Sequence, residues 1–311
     1  AICLTQKNRE RISIFMEYPK ISFIGVGIMG SGIVRNLQKK GIRLKIYARN
    51  SEKISKFQNE KTEICRSISD CWKNSDIAVL CLTEDSTVRN AFLYNGLLES
   101  GCRFIIDIGT TSPELTEEMK LFSDRHGKVF MDSPMTGSRL AAEAGEIIYM
   151  IGSDSEEAFE FCRFFWESTG KKIIRCGSAG SGQRTKIALN MIQASVLQSY
   201  IEGLMLARNA GIDEELMYEV ISSSAARSGI SDFKLKYILN NDFFPHFSLK
   251  NMNKDLNHAL RLAMKTETVT PLASALKTVY SAGMNSGLGE EDFSSLYKVN
   301  KKLNEQNSGT V

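Results

Sequence analysis

The segment Ile21-Ser-Phe-Ile-Gly25-Val-Gly27-Ile-Met-Gly30 predicts the architecture of the first half of this chain. Its first four residues are typical of a short buried strand, and three glycines in the spacing G-x-G-x-x-G follow at once. The residues from Ile33 to Lys40 then favour a helix that stops at Gly41. A strand, a glycine turn and a helix in this order bind the pyrophosphate of a dinucleotide.

Each glycine of this turn has a physical task. Gly25 permits the tight turn, Gly27 lets the backbone approach a pyrophosphate, and Gly30 lets the helix pack closely on the strand. The helix N-terminus adds N–H donors and a partial positive charge. A glycine-rich turn without a ligand is the alternative, and the strand-to-helix context disfavours it. We expect this loop to bind the cofactor through Gly25, Val26, Gly27, Ile28, Met29 and Gly30.

The end of the second predicted strand indicates which dinucleotide binds. An NAD site usually places Asp or Glu there to bind the ribose 2′-hydroxyl, whereas Lys45-Ile-Tyr-Ala-Arg49-Asn50-Ser51 contains no acid. Arg49 can pair with a 2′-phosphate, helped by the amide of Asn50 and the hydroxyl of Ser51. The alternative is that Arg49 is a solvated surface residue. We predict that the cofactor is NADP(H).

The composition disfavours several other classes of protein. The 311 residues carry 39 basic and 36 acidic side chains, and a net charge of +3 gives no general reason for binding nucleic acid or a membrane. No apolar run is long enough to span a bilayer. Three histidines without H-x-x-x-H spacing indicate no metal site. Seven cysteines without a C-x-x-C pair favour free thiols in a reducing, cytoplasmic compartment.

Short apolar runs alternate with amphipathic stretches from Ile21 to Cys176. This pattern predicts an α/β domain of the Rossmann type, with a doubly wound parallel sheet covered on both faces. Helices such as Met29–Lys40 and Pro113–His126 would cover the sheet. The expected strands are Ile21–Ile24, Arg43–Tyr47, Asp76–Leu82, Arg103–Ile108, Lys128–Met131, Ile147–Ile151 and Lys171–Arg175.

From about Gly182 onward the pattern predicts helices only. A long helix, Gln183–Asn209, opens this part, with apolar residues at helical spacing. We therefore expect an extension over residues 1–19, a nucleotide-binding domain over residues 20–179 and an all-helical domain over residues 180–311. The further expected helices are Asp213–Ser222, Phe233–Leu239, Leu249–Lys265, Pro271–Ser286 and Phe293–Leu303, with a loop at Phe243–Phe247.

Four motifs in order resemble those of the β-hydroxyacid dehydrogenases, a family of oxidoreductases, from about Ile21 to Leu303. The first is the glycine turn. The others are Asp132-Ser-Pro-Met-Thr136-Gly-Ser-Arg-Leu-Ala141-Ala-Glu-Ala-Gly145, Gly182-Gln-Arg-Thr-Lys186-Ile-Ala-Leu-Asn190 and Phe247-Ser-Leu-Lys-Asn-Met-Asn-Lys254-Asp255-Leu256. The resemblance implies a Rossmann domain, a long interdomain helix and an all-α C-terminal domain, assembled as a homodimer or homotetramer.

The resemblance also implies roles for individual residues. Leu82 and Thr110 would contact the cofactor, and Lys254 would lie over its nicotinamide end. A small substrate with a carboxylate would be bound by Thr136, Gly137, Ser138, Lys186, Asn190, Phe247 and Asp255.

The sequence departs from the family pattern at several positions. Thr136 replaces the family serine, and Ser138 followed by Arg139 replaces the second glycine, which resembles the glyoxylate/succinic semialdehyde reductase branch. Gly109 replaces the serine of the family's S-T-I-S-P stretch, and Thr83 replaces the proline of its M-L-P turn. Because these changes surround the expected ligands, they affect the prediction of the substrate more than the prediction of the reaction class.

Lys186 and Asn190 are the expected catalytic residues. They lie four positions apart, so their side chains share one face of the predicted helix. Reduction of an aldehyde or ketone takes a hydride from the cofactor and a proton for the developing alkoxide. Burial lowers the pKa of a lysine toward a useful range for that proton transfer. Spacing alone favours a surface lysine, but the preceding glycines and the family register reverse that preference.

The turn around Gly137 is the expected site for the substrate carboxylate. The hydroxyl of Thr136 and the consecutive backbone N–H groups of Thr136, Gly137 and Ser138 would form an anion nest. An ordinary strand-to-loop turn is the alternative. Three aromatic residues either wall the substrate cleft or pack in the core: Phe243, Phe244 and Phe247.

We therefore expect an NADPH-dependent oxidoreductase that acts on a small carboxylate-bearing aldehyde or β-hydroxyacid, such as glyoxylate or succinic semialdehyde. A 3-hydroxyisobutyrate dehydrogenase and a non-catalytic NADPH-binding module are the alternatives. A 6-phosphogluconate dehydrogenase is disfavoured because Leu189 stands where that group has histidine. An imine reductase is disfavoured because those enzymes generally lack a lysine at position 186.

Overall fold

The computed structural model describes residues 18–305, without the side chain of Glu305, and it divides into two compact units. The N-terminal unit comprises the described residues up to Gly109 together with Leu115–Ala179. The C-terminal unit comprises Thr110–Glu114 and the described residues from Gly180 onward. The expected extension over residues 1–19 lies outside the described residues except for residues 18 and 19.

A nine-stranded sheet forms the centre of the N-terminal unit. Its strands are β1 (Ile21–Ile24), β2 (Leu44–Tyr47), β3 (Thr62–Ile64), β4 (Ile77–Leu80), β5 (Phe104–Asp107), β6 (Val129–Asp132), β7 (Met135–Thr136), β8 (Ile147–Gly152) and β9 (Gly170–Gly177). The intervening helices are α1 (Ile28–Lys39), α2 (Ile68–Trp72), α3 (Asp85–Leu93), α4 (Pro113–Arg125), α5 (Arg139–Ala144) and α6 (Glu156–Thr169), with a 3₁₀ helix at Glu52–Phe57.

The strand order is β3-β2-β1-β4-β5-β6-β8-β7, with β9 paired to β8. Strands β1 to β6 pair in parallel, which confirms the doubly wound arrangement predicted from the alternating pattern. Strand β8 pairs antiparallel with β6 and β7, so the expectation of a wholly parallel sheet is wrong there. The connection from β7 to β8, Gly137–Glu146, is shorter than the crossover of about a dozen residues that parallel pairing needs.

The sequence pattern did not predict β3 or β7. Both are too short for an alternation of apolar and polar residues to be visible. Each is defined by pairing with a longer strand, β3 with the edge of β2 and β7 with β8. Their extended conformation therefore follows from tertiary pairing rather than from their own residues.

Each face of the sheet carries its own hydrophobic core. Along β4, Ile77 and Val79 belong to a cluster with side chains of α1 and α6. Ala78 and Leu80 belong to a second cluster with side chains of α3 and α4. This alternation is expected of a strand that is buried on both faces. Because helices cover both faces of the sheet, turns that bind a ligand lie at the strand ends.

Helices make up the C-terminal unit, and within its described residues the only β contact is an isolated bridge between Ser248 and Asp292. Each of the two predicted helices Phe233–Leu239 and Phe293–Leu303 begins as a short non-α turn and continues as an α-helix. None of the helices between residues 18 and 305 is long and apolar enough to cross a membrane. The elements are α7 (Ser181–Asn209), α8 (Glu214–Ser223), a π-helical turn (Ser231–Leu235), α9 (Lys236–Leu239), α10 (Leu249–Lys265), α11 (Pro271–Asn285), a 3₁₀ turn (Phe293–Ser295) and α12 (Leu296–Glu305).

Helix α7 organises the core of the C-terminal unit. Ala194, Leu197, Ile201 and Leu204 recur at three- or four-residue spacing, and each has 0 % of its surface exposed. They belong to one cluster with apolar side chains of α10, α11 and α12. The stability of this unit therefore depends on the stripe along α7.

We predict that Leu197→Ala lowers the free energy of unfolding by about 2–5 kcal/mol, because it opens a cavity in this cluster. Leu206→Ala is the matched control, since Leu206 lies on the same helix and is 75 % exposed. It should change the free energy by no more than about 0.5 kcal/mol. Urea denaturation monitored by circular dichroism measures both values, and equal losses would contradict the packing described for α7.

Candidate active site

The glycine turn suits a pyrophosphate because of what surrounds each glycine. A Cβ atom on Gly25, whose φ is +104°, would lie 2.1 Å from the carbonyl oxygen of Cys81. A Cβ atom on Gly30 would lie 2.3 Å from the carbonyl oxygen of Gly25. A Cβ atom on Gly27 would meet nothing within 4 Å, so the backbone there borders open space that a ligand can enter.

Helix α1 begins at this turn without a side-chain cap. Its N-cap is Gly27, so no side chain accepts hydrogen bonds from the first N–H groups of the helix. Such N–H groups bind anions, and the helix dipole adds to the attraction. The side chain of Val26 is buried in the core, whereas Ile28 is 57 % exposed. Val26 can therefore offer a ligand only its backbone.

Arg49 and Asn50 follow β2 and are both exposed. Within the described part of the chain, no carboxylate is paired with the guanidinium of Arg49. The side-chain oxygen of Asn50 accepts the N–H of Lys53 at 3.2 Å, so the amide nitrogen is the atom of Asn50 that can donate to an anion. An arginine and an amide donor at this strand end suit a phosphate better than a ribose hydroxyl.

The carboxyl ends of β4 and β5 meet beside the glycine turn. A side-chain carbon of Leu82 lies 3.1 Å from where a Cβ atom of Gly25 would be. A Cβ atom on Gly109 would lie 2.1 Å from the carbonyl oxygen of Leu82. Any side chain at position 109 would displace Leu82, which is a structural reason for glycine where the family has serine.

The turn expected to bind the substrate carboxylate follows β7 in the N-terminal unit. Thr136 is half-buried and pairs with Ile148 of β8, and Gly137 has a φ of +147°, which other residues rarely adopt. The hydroxyl of Ser138 accepts the N–H of Ala141 at 3.2 Å and caps α5. Because the hydroxyl acts only as the acceptor in this bond, both the O–H and the backbone N–H of Ser138 can donate to a ligand.

Four charged or polar side chains form a cluster in the C-terminal unit, Lys186 and Asn190 on α7 and Lys254 and Asp255 on α10. The amide nitrogen of Asn190 donates to Asp255 Oδ2 over 2.6 Å. The ammonium of Lys254 lies 3.0 Å from Asp255 Oδ1. Asp255 is 0 % exposed, Asn190 1 % and Lys186 7 %. The buried carboxylate of Asp255 thus pairs with Lys254, and its negative charge also acts on Lys186.

The pKa of Lys186 is lowered to about 8, chiefly because the side chain is buried. The carboxylate of Asp255 raises this pKa, and the positive charge of Lys254 lowers it. At neutral pH Lys186 therefore holds a proton that it can release readily. The side-chain oxygen of Asn190 is buried without a hydrogen-bond partner among the described residues. It is an acceptor that a substrate hydroxyl or an ammonium can fill.

Lys254 makes its contacts with groups of the protein itself. Its ammonium donates to the backbone carbonyl of Thr110 and pairs with the carboxylate of Asp255. Asp255, which the family resemblance places at the substrate, touches Asn190 and Lys254 and has no exposed surface. Its effect on a substrate would therefore pass through these two neighbours.

Sequence reasoning missed a second buried ion pair, between Lys234 and Asp292. The ammonium of Lys234 lies 2.7 Å from the nearer oxygen of Asp292, and that carboxylate also accepts the backbone N–H groups of His246 and Phe247. The pair thereby holds the loop that contains Phe247. The N-capping position of Asp292 ahead of Ser294 was the available signal, but its partner lies far away in the sequence.

The aromatic residues of this loop have different surroundings. Phe243 is buried in the core of the C-terminal unit, and Phe244 is 60 % exposed. Phe247 is half-buried and packs edge-on against Phe293, with ring centres 6.3 Å apart. Between residues 18 and 305 there is no group of His, Cys, Asp and Glu side chains placed to hold a metal ion.

Two family profiles match nearly the whole chain. The NAD binding domain of 6-phosphogluconate dehydrogenase matches residues 20–177. The profile described as the NAD-binding part of NADP-dependent 3-hydroxyisobutyrate dehydrogenase matches residues 180–300. Among solved structures, the chain is similar to a 3-hydroxyisobutyrate dehydrogenase of Mycobacterium tuberculosis with L-serine, with a TM-score of 0.81 and 26 % identity over 91 % of this chain and 99 % of that chain.

Curated relatives carry several different names. The chain is 29 % identical to 2-(hydroxymethyl)glutarate dehydrogenase of Eubacterium barkeri, over 90 % of this chain and 94 % of the relative. It is 28 % identical to glyoxylate/succinic semialdehyde reductase 2, chloroplastic, of Arabidopsis thaliana, over 90 % and 79 %. It is 28 % identical to cytokine-like nuclear factor N-PAC of Xenopus tropicalis over 90 % of this chain, but it spans only 53 % of that relative.

We predict that Lys186 titrates with a pKa of about 8, and that Lys254→Met raises this value because it removes a neighbouring positive charge. Lys277→Met is the control, since Lys277 contacts Asn253 instead of the cluster, and it should leave the titration of Lys186 unchanged. NMR of ¹³C-methylated lysines, assigned with Lys186→Arg, measures the three pKa values. A Lys186 signal that titrates near the ordinary lysine value of about 10.4 would contradict the burial of its ammonium.

Proposed function

Because the chain belongs to the β-hydroxyacid dehydrogenase family, we propose that it is an NADP(H)-dependent oxidoreductase for a small carboxylate-bearing aldehyde or its β-hydroxyacid. The observation that carries this proposal is the buried Lys186, whose pKa lies near 8 beside Asn190 and Asp255. A desolvated lysine beside a buried amide oxygen that has no partner among the described residues is an arrangement typical of proton-transfer sites.

Lys186 is the proton donor in the direction of reduction. When bound, the nicotinamide supplies or accepts the hydride. The ammonium of Lys186 gives its proton to the oxygen of the former carbonyl, and the resulting neutral amine is tolerated because its site is buried. In the oxidation direction the neutral amine takes the proton back from the hydroxyl. Asp255 fixes the amide of Asn190, so that the oxygen of Asn190 can orient the hydroxyl.

The turn at Thr136, Gly137 and Ser138 binds the substrate carboxylate in this proposal. The positive φ of Gly137 and the N-cap position of Ser138 support it, because consecutive backbone N–H groups in a glycine turn can form an anion nest. Ser138 followed by the exposed Arg139 favours glyoxylate or succinic semialdehyde, and so does the likeness to the Arabidopsis thaliana reductase. A 3-hydroxyisobutyrate substrate is the alternative, which the likeness to the Mycobacterium tuberculosis enzyme favours.

NADP(H) is the proposed cofactor because Arg49 and Asn50 stand exposed at the end of β2 with no acid beside them. We also propose a homodimer or homotetramer. Several large apolar side chains of the C-terminal unit are exposed in the single chain, which supports such an assembly. They are Leu216, Val220, Met264 and Val269.

A non-catalytic NADPH-binding module is the second candidate, and the likeness to the nuclear factor N-PAC favours it. The two candidates differ in one observable property, the oxidation of NADPH. A binding module would hold the cofactor without turnover of any aldehyde.

We predict that the chain oxidises NADPH with at least one member of a panel of glyoxylate, succinic semialdehyde, tartronate semialdehyde and methylmalonate semialdehyde. Lys186→Ala should lower kcat by about 10²–10⁴ while the Kd for NADPH changes little, because the lysine acts on the proton and not on the cofactor. Absorbance at the NADPH band and protein fluorescence measure the two quantities. Binding of NADPH without turnover on the whole panel would overturn the enzyme proposal in favour of the module.

We predict that Arg49→Ala raises the KM for NADPH by about thirtyfold, which corresponds to a loss of roughly 2 kcal/mol in charge-assisted hydrogen bonds. The KM for NADH should stay nearly constant, because NADH lacks the 2′-phosphate. Arg43→Ala is the matched control, because Arg43 is also an exposed arginine but lies directly before β2, at the opposite end of the strand from Arg49. A variant that loses NADH activity as strongly as NADPH activity would refute the assigned role of Arg49.

A further inference from the structure

The chain that follows β5 starts beside the glycine turn. Within the N-terminal unit, Gly25 packs on the carbonyl of Cys81, and Gly109 packs on the carbonyl of the neighbouring Leu82. Ligands of parallel α/β sheets bind outside the carboxyl ends of the strands. Thr110, the residue after Gly109, therefore begins at the end of the sheet where a dinucleotide binds.

The segment Thr110–Glu114 nevertheless belongs to the C-terminal unit. Two side chains of that unit hold its backbone. The ammonium of Lys254 donates a hydrogen bond to the backbone carbonyl of Thr110. The side-chain oxygen of Gln183 accepts the N–H of Thr111 at 3.2 Å, and both Gln183 and Thr111 are 0 % exposed.

Gln183 shares a helix face with the two expected catalytic residues. Gln183, Lys186 and Asn190 follow each other on α7 at spacings of three and four residues, and all three are buried. The same face of one helix thus carries the acceptor for the Thr111 N–H and the lysine proposed to donate the proton.

We propose that Gln183 is a positioning residue, which fixes the backbone of the Thr110 segment within the C-terminal unit, in the conformation in which Thr110 binds the cofactor. This inference rests on the proposed function, in which Thr110 contacts the dinucleotide. This proposal assigns Gln183 no contact of its own with cofactor or substrate. Gln183 acts through the backbone of Thr111, whose N–H it holds in a buried environment.

The test compares three full-length variants by their Kd for NADPH and for NADH, measured by fluorescence, and by their Tm. Gln183→Met keeps the size of the side chain and removes the acceptor, and it should weaken binding of the preferred cofactor about tenfold. Gln183→Glu keeps an acceptor oxygen at the same reach and should restore the wild-type Kd. Gln198→Met is the matched control, since Gln198 is a buried glutamine of the same helix whose amide contacts Glu202 and Asn300.

Gln198→Met should lower the Tm as much as Gln183→Met does, but leave the Kd unchanged. The inference is overturned if Gln183→Met binds the cofactor as the wild type does, if Gln183→Glu fails to restore binding, or if Gln198→Met weakens binding equally. These outcomes do not depend on turnover. A wild-type chain that binds a dinucleotide but reduces no aldehyde would contradict the proposed function. The positioning role of Gln183 would still be decided by the Kd values of the variants.

Discussion

The buried hydrogen bond between Asn190 and the carboxylate of Asp255 is the contact on which the proposed chemistry depends. It joins α7 to α10 and leaves the oxygen of Asn190 as a buried acceptor. The carboxylate also pairs with Lys254, so the negative charge of Asp255 acts on two ammonium groups, those of Lys254 and Lys186. Burying charged side chains normally costs folding free energy, and proteins retain such buried charges where they serve a function. We propose that the function served by the buried cluster is the lowered pKa of Lys186.

The nucleotide turn was readable from the sequence because its requirements are local. The strand Ile21–Ile24 has the predicted bounds, and the three glycines are each explained by a close approach or an open space. Helix α10, Leu249–Lys265, also has the predicted bounds, since its apolar period and its serine N-cap are local features. Where one segment contains its own signals, sequence reasoning predicts both the element and its ends.

Features that arise from pairing over long distances were not readable. The antiparallel placement of β8 depends on a connection whose length matters only once β6 and β7 are in place. The ion pair of Lys234 with Asp292 and the contact of Gln183 with Thr111 each join residues that are more than a few helical turns apart in sequence. No periodicity marks such partners, because a single polar residue in a helix looks the same whether it is solvated or paired.

The pH dependence of kcat for NADPH-linked aldehyde reduction tests the role of the buried cluster. If Lys186 is the proton donor, kcat is constant at low pH and falls as the pH rises through about 8, where the ammonium is lost. In Asp255→Asn the fall should move to lower pH, because the charge that raises the pKa of Lys186 is removed. A profile that is flat from pH 6 to pH 10, or one that is identical in the two proteins, would contradict the account.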